Sequence, residues 1–392
     1  MKDSALPNSL LHTKKIIQRI TKSVCLFTLA VSLTSSSLAT DVIVYFGSHG
    51  KGQNIGFSIA HFDTETGRLT TPVFLLEAVA PAYFVLRADG KMLYTCNSAP
   101  GSDVSAYGIE AASAHLTFLN KKLSCGGDPS YVSLDHTGHF LMVANYDGGT
   151  IAVYALMPDG SIGDRTAFVQ HTGTSINPER QTHARPHAIC VDPTNKFVLV
   201  PDLGVDKLFV YRFDQKTGTL EPNDPPFATV SPGSGPRHTI FHPNGRIAYL
   251  INEMGSSIIR FGWNSNQGKL TQFETISTLP DDFKGTSTCA EILVHPNGKF
   301  IYATNRGHNS VAVFSLAAET GRLTLIQHIS TQGKTPRNCE FDPTGRWLLV
   351  SNQDSSNAVV FRIDPVTGRL SQTGEPVSVP NPFCERFLTL VN

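Results

Sequence analysis

Hydrophobic and polar positions along the chain form short alternating runs that recur about every fifty residues. A polar turn of the form Asp/His-Pro-Asn/Thr-Gly-Lys/Arg, or a close variant, separates pairs of these runs. The six copies end at Lys91, His139, Lys196, Arg246, Lys299 and Arg346, at spacings of 48, 57, 50, 53 and 47 residues. A period of roughly fifty residues is typical of a β-propeller blade and is too long for leucine-rich or helical repeats.

Each turn is followed by an apolar run that ends in Asn or Asp, such as IAYLIN at 247–252, and then by an alternating run and a second turn. Runs rich in β-branched and aromatic residues between Gly, Pro and Asn predict strands joined as hairpins. Six first halves and seven second halves occur, and the runs at 41–50 and 384–392 together supply the missing first half. We therefore predict an all-β, seven-bladed β-propeller over residues 40–392, closed by pairing of its N- and C-terminal strands.

The first 39 residues have a different pattern. Four basic residues precede an apolar run at 24–33, and the small-residue stretch TSSSLAT follows, with Ser37 and Ala39 at the spacing of a signal-peptidase site. An uncleaved anchor is the alternative, but about ten apolar residues are too few to cross a bilayer core of roughly 30 Å. We predict a signal peptide over 1–39, export to the periplasm or beyond, and no membrane association after cleavage.

The composition argues against nucleic-acid and metal partners. The 392 residues carry a formal net charge of zero, so no basic excess exists to neutralise nucleic-acid phosphates. The six cysteines outside the signal peptide form no metal-binding spacing, and several lie in apolar runs, so we expect mostly free thiols. No metal or other cofactor is predicted, and we expect a monomer.

The internal copies act as a control for one another. The first residue of each predicted inner strand and the residue just past the second strand lie at the same end of an antiparallel hairpin, so both sets ring one mouth of the central channel. In the early blades these residues are small or neutral. In the later blades they are His187, Arg237, Glu253, Arg306 and Arg337. This departure from the repeat predicts a site for an anionic ligand, the alternative being a solvated ring of ion pairs.

Further candidates for substrate binding are Tyr131, His238 and Glu291, which are adjacent to these positions, and Tyr146, which occupies one of them. The recurring Pro, Asn and Gly residues are explained by turn geometry.

The stretches GSGPRHTIFHPNGRIAYLINE, CAEILVHPNGKFIYATNRGHN and TPRNCEFDPTGRWLLVSNQ resemble the seven-bladed propeller lactonase family, as does RPHAICVDPTNKF. That family includes the propeller type of 6-phosphogluconolactonase and 3-carboxy-cis,cis-muconate cyclase. The resemblance implies catalytic roles for the residues at the matching motif positions, which are His187, Arg237, Glu253 and Arg306. Ser130 and Tyr131 depart from the family's usual Pro-Cys-His, and Ile189 and Cys190 from its His-Ser pair, which bears on the substrate.

The resemblance also implies a hydrolase acting on a small anionic lactone. Either Glu253 or His187 is the base, Arg237 and Arg306 bind the oxyanion and an anionic group, and Arg337 supports them. No GxSxG motif indicates a nucleophilic serine. The alternatives are a muconate-type lactonising cycloisomerase, which protonates carbon with the same arginines, and a non-catalytic exported binding propeller.

Overall fold

The computed structural model describes residues 42–49, 55–78, 80–98 and 101–390. The predicted signal peptide lies outside these ranges and stays a prediction. Every regular element in the described part of the chain is a β-strand. No helix within it is long and apolar enough to cross a membrane.

The strands form seven antiparallel sheets, one per blade, with the innermost strand named first in all but the closing blade. The closing blade begins the chain with β1 (Val42–Ser48), β2 (Gly56–Asp63), β3 (Arg68–Leu69) and β4 (Val73–Glu77). Blade 1 has β5 (Pro81–Leu86), β6 (Met92–Asn97), β7 (Asp103–Ile109) and β8 (Leu116–Leu123). Blade 2 has β9 (Pro129–Leu134), β10 (Phe140–Asn145), β11 (Thr150–Leu156) and β12 (Ile162–Gln170). Blade 3 has β13 (Cys190–Val191), β14 (Phe197–Asp202), β15 (Lys207–Phe213) and β16 (Leu220–Thr229).

The remaining blades repeat this order. Blade 4 has β17 (Pro236–Phe241), β18 (Ile247–Asn252), β19 (Ser257–Asn264) and β20 (Lys269–Ser277). Blade 5 has β21 (Thr288–Val294), β22 (Phe300–Arg306), β23 (Ser310–Leu316) and β24 (Leu323–Ser330). Blade 6 has β25 (Pro336–Phe341), β26 (Trp347–Asn352), β27 (Asn357–Ile363) and β28 (Leu370–Ser378). The last strand is β29 (Pro382–Thr389).

The two ends of the described chain close the ring. Strand β29 is the inner strand of the closing blade and pairs antiparallel with β1, from Val42 opposite Thr389 to Ser48 opposite Pro382. This pairing confirms the predicted closure and leaves no unpaired inner edge between the first and last blades.

A recurring hydrogen bond ties neighbouring blades together. A buried tyrosine on the second strand donates to a glycine carbonyl in the outer turn of the next blade, as Tyr249 does to Gly321 at 2.7 Å and Tyr302 to Gly368 at 2.8 Å. Both glycines have positive φ, and a Cβ at Gly321 would lie 2.5 Å from the Tyr249 hydroxyl. The glycine in each outer turn therefore serves backbone geometry and blade packing at once. The six cysteines of the described part are free thiols.

Candidate active site

A β-bulge at the start of the inner strands changes the direction of the charged side chains Arg237 and Arg337. Pro236 pairs with Asn252, but the register then shifts so that His238, not Arg237, faces Ile251. The same shift leaves Arg337 as the extra residue of its strand. A bulge redirects a side chain and is common beside active sites. The Glu253 amide donates to the Gly235 carbonyl at 2.7 Å, which extends the hairpin one step beyond the ends of β17 and β18. This bond brings Glu253 beside Arg237.

Glu253 is the centre of the site and is only 3% exposed. Its Oε2 accepts a hydrogen bond from Arg237 Nε at 3.1 Å and lies 3.0 Å from Arg306 Nη2. The Nε2 atom of His187 is 3.6 Å from the same oxygen. The structure therefore brings together the four residues predicted as catalytic, while their catalytic role stays a prediction.

The sequence analysis missed a third arginine at this carboxylate. Arg180 Nη2 donates to Glu253 Oε1 at 2.7 Å and to the Tyr146 hydroxyl at 2.8 Å. Arg180 lies in the segment 171–189 that joins β12 to β13, which is longer than any of the segments that join the other blades. Comparison among repeats cannot find such a residue. The only signal was the turn spacing of 57 residues at this point, the longest of the five.

The charges in this cluster set the protonation states. Burial alone would raise the pKa of Glu253, but Arg306, together with the other cations around it, holds that pKa well below its usual range. Burial, reinforced by the Arg237 charge, holds the pKa of His187 well below 6.5. At neutral pH the carboxylate is therefore ionised and the imidazole is neutral.

A second buried layer lies against Arg237. His238 Nδ1 is 2.8 Å from Glu291 Oε1, and Asn338 Nδ2 donates to Glu291 Oε2 at 2.6 Å. Burial lowers the pKa of His238 to about 4, so its ring is neutral at neutral pH. The Nδ1–H then donates to Glu291, and Nε2 accepts from Arg237 Nη1 at 3.1 Å. His238 and Glu291 were predicted to bind substrate, but these contacts favour a role in holding Arg237.

Arg337 lies apart from the carboxylate. Its guanidinium is 4.2 Å from the centre of the Phe383 ring and makes no ion pair or hydrogen bond within the described residues. Burial, with repulsion from Arg237 and Arg306, lowers the pKa of Arg337 to about 9, so it remains a cation at neutral pH. A half-buried cation that lacks an anionic partner is less stable than a paired one, and a ligand anion can supply the partner.

The two tyrosines predicted to bind substrate, Tyr131 and Tyr146, pack against the histidines of the site. Tyr131 stacks on Tyr83 at 4.1 Å and meets the His238 ring edge-on at 4.9 Å. Tyr146 packs edge-on against the His187 ring at 5.4 Å, and the Arg185 guanidinium lies over its face at 4.8 Å. Tyr146 therefore fixes His187 from one side.

In the described part of the chain no three His, Cys, Asp or Glu side chains are placed to share a metal ion. The acidic residues nearest the site have other partners: Glu253 faces guanidinium groups, and Asp202 Oδ2 lies 2.7 Å from His171 Nδ1. A cavity of about 310 Å³ adjoins the site beside Arg306, Thr286 and Thr335. A larger cleft of about 760 Å³ lies at the far end of blades 1 and 2, around Asp89 and His136.

Comparison with known proteins agrees with this fold. The family model described as "Lactonase, 7-bladed beta-propeller" matches residues 43–387. The chain belongs to this lactonase family. The predicted family and fold are thus confirmed, and the enzyme class with them, because lactonases are carboxylic-ester hydrolases.

Several relatives of this lactonase carry related names. It is 37% identical to a Bacillus subtilis 6-phosphogluconolactonase over 351 residues, covering 89% of this chain and 99% of the relative. The structure of a Pseudomonas aeruginosa periplasmic gluconolactonase matches with a TM-score of 0.85 and 30% identity, covering 90% of this chain and all of that one. The structure of a Bacteroides fragilis protein described as a putative 6-phosphogluconolactonase gives 0.83 and 32%, with 90% and 99% covered.

Proposed function

We propose that this lactonase opens an anionic sugar lactone by attack of water at the channel mouth. The observation that carries the proposal is the excess of positive charge there. Arg180, Arg237 and Arg306 share one carboxylate, Glu253, while Arg337 has no anionic partner among the described residues. Guanidinium groups in this number suit a substrate that carries a carboxylate or phosphate and develops an oxyanion.

His187 suits the role of general base better than Glu253 does. Both Glu253 oxygens accept from guanidinium groups, and a carboxylate whose pKa is held so low is a weak base. In His187 the Nδ1 atom is buried and has no hydrogen-bond partner among the described residues, so in the tautomer with the proton on Nδ1 the Nε2 atom takes a proton from water. The imidazolium that forms is stabilised by Glu253, 3.6 Å away.

Binding of an anionic lactone also adjusts this base. The pKa of His187 is lowered by burial first and by the Arg237 charge next. A substrate anion offsets part of that positive field, so it raises the pKa of His187 toward the operating pH, where general-base catalysis is most effective.

The arginines supply the oxyanion contacts. Arg237 uses Nε and Nη1 on protein acceptors, and Arg306 uses Nη2 on Glu253 and on the Cys289 carbonyl. Arg237 Nη2 and Arg306 Nη1 make no hydrogen bond within the described residues and are left for the lactone carbonyl oxygen. Water adds to that carbonyl carbon as His187 takes its proton. The ring C–O bond then breaks, and the imidazolium returns the proton to the leaving alkoxide.

The names of the relatives give two substrates to test. Bacillus subtilis 6-phosphogluconolactonase points to 6-phosphogluconolactone, and the Pseudomonas aeruginosa periplasmic gluconolactonase points to gluconolactone. We take the phosphorylated lactone as the first candidate because of the excess arginines. The predicted export favours the unphosphorylated one, because phosphorylated sugars are chiefly cytosolic.

The test is acid release from both lactones, corrected for spontaneous hydrolysis, by the natural protein and by His187→Gln. We expect turnover of at least one lactone and a loss of about 10²- to 10⁴-fold in the variant, the usual contribution of a general base. A natural protein that releases no acid above the variant's background contradicts the proposed function.

A further inference from the structure

We propose that Arg180 is a specificity-determining residue, whose guanidinium binds the anionic group of the substrate remote from the reacting carbonyl. This inference rests on the proposed lactone hydrolysis and adds the residue that recognises the phosphate or carboxylate of the substrate.

The bonding of Arg180 differs from that of its neighbours. Its two hydrogen bonds, to Glu253 and to Tyr146, both come from Nη2. Nε and Nη1 make no hydrogen bond within the described residues. The Arg180 side chain is 41% exposed, compared with 3% for Arg237 and 15% for Arg306. Arg180 is therefore held by one nitrogen and presents its other donors at the rim of the mouth.

The segment that carries Arg180 is fixed by a buried aspartate. Asp206 is 2% exposed, and its Oδ2 accepts from Ser175 Oγ at 2.6 Å and from Gln181 Nε2 at 2.7 Å. The same carboxylate accepts from the amides of Gly233 and Gly235, both at 2.7 Å. Because Gly235 lies directly before the strand that bears Arg237, Asp206 fixes the Arg180 segment to the blade that carries Glu253. A donor held in advance loses little conformational entropy when it binds a ligand.

The charge balance selects an anion over a neutral group. Burial and, second to it, repulsion from Arg306 lower the pKa of Arg237. Burial and repulsion from Arg237 and Arg306 likewise lower the pKa of Arg337. One carboxylate therefore leaves the cationic cluster under-compensated. A phosphate or carboxylate at the rim relieves this repulsion and can accept a charge-assisted hydrogen bond from Nε or Nη1 of Arg180, whereas a hydroxyl adds no charge.

The test compares Arg180→Gln, Arg180→Lys and the control Arg346→Gln on the two lactones. Arg346 pairs with Glu65 at 2.7 Å on the surface, so its variant matches the charge change away from the mouth. We expect Arg180→Gln to lower kcat/KM for 6-phosphogluconolactone by roughly 10- to 100-fold, mainly through KM, as for a lost charged hydrogen bond. The loss on gluconolactone should be smaller than on the phosphorylated lactone, because there only the contact with Glu253 is lost, and Arg180→Lys should recover part of the difference between the two substrates. Equal losses on both lactones overturn the inference.

A binding measurement separates this inference from the proposed function. Calorimetric titration with the ring-opened acids, 6-phosphogluconate and gluconate, requires no turnover. We expect the natural protein to prefer the phosphorylated acid and Arg180→Gln to lose that preference. If neither lactone is hydrolysed but the preference exists and depends on Arg180, the proposed function fails and the inference stands. If the preference is absent, or survives in Arg180→Gln, the inference is wrong.

Discussion

Glu253→Gln tests the charge arrangement of the site through stability. The substitution keeps the shape of the side chain but removes the one carboxylate shared by three arginines at 2.7 to 3.1 Å. The half-exposed Arg180 can turn toward solvent, whereas Arg237, only 3% exposed, cannot. Removing one partner of a buried ion pair typically costs about 3–5 kcal/mol. An unfolding entropy of about 2.1 cal/mol/K per residue converts 4 kcal/mol into a fall in Tm of roughly 5 °C for a propeller of this length.

The assay is thermal unfolding of the natural protein and Glu253→Gln, with and without added inorganic phosphate. We expect phosphate to restore more Tm in the variant than in the natural protein, because an anion replaces the missing charge. The double variant Glu253→Gln/Arg306→Gln should be more stable than the sum of the single changes predicts, since removing a cation relieves the repulsion. A Tm within 1 °C of the natural protein in Glu253→Gln would refute this account of the site.

Three further predictions concern other titratable side chains. The pKa of His238, about 4, lies below its unfolded value of 6.5. This group therefore lowers the free energy of unfolding by about 3 kcal/mol as pH drops from 6.5 to 4. We expect urea titrations of His238→Asn to show a smaller decrease over the same pH range. Burial raises the pKa of Glu385 from 4.5 to about 8. The unfolded chain therefore loses this proton at lower pH than the folded protein, and the free energy of unfolding falls as pH rises from 4.5 through 8. We expect Glu385→Gln to be more stable than the natural protein by about 5 kcal/mol above pH 8. Arg337→Gln should leave Tm unchanged or raise it while weakening the stabilisation by phosphate; a fall of several degrees would indicate a structural partner.

The fold was predictable because each blade repeats the same physical problem. Every inner hairpin needs the same turn, and every outer turn needs a glycine, so six copies reinforce a pattern that one copy would not establish. The same repetition made Arg237, Glu253 and Arg306 recognisable in the sequence, because each replaces a small or neutral residue at an equivalent position.

The rest of the site depends on features that the repeat pattern in the sequence does not reveal. Arg180 comes from a segment found in one blade alone, so no internal copy marks it. The bulge at Arg237 shifts the register by one residue, and such a shift exchanges the faces to which side chains point. The sequence therefore did not determine whether His238 faces the channel or supports its neighbour. The conformation of the segment 171–189 and the positions of the bulges depend on tertiary structure, which the alternation of apolar and polar residues cannot reveal.

The central claim is that this lactonase hydrolyses a lactone with neutral His187 as base. The most direct measurement is the pH dependence of kcat/KM and kcat between pH 4 and 8 for the preferred lactone. We predict that kcat/KM falls at acid pH with an apparent pKa below 6.5, that kcat shows a higher pKa with the phosphorylated substrate, and that His187→Gln loses both transitions. A variant that keeps the natural rate, or the same acid limb, would contradict the claim.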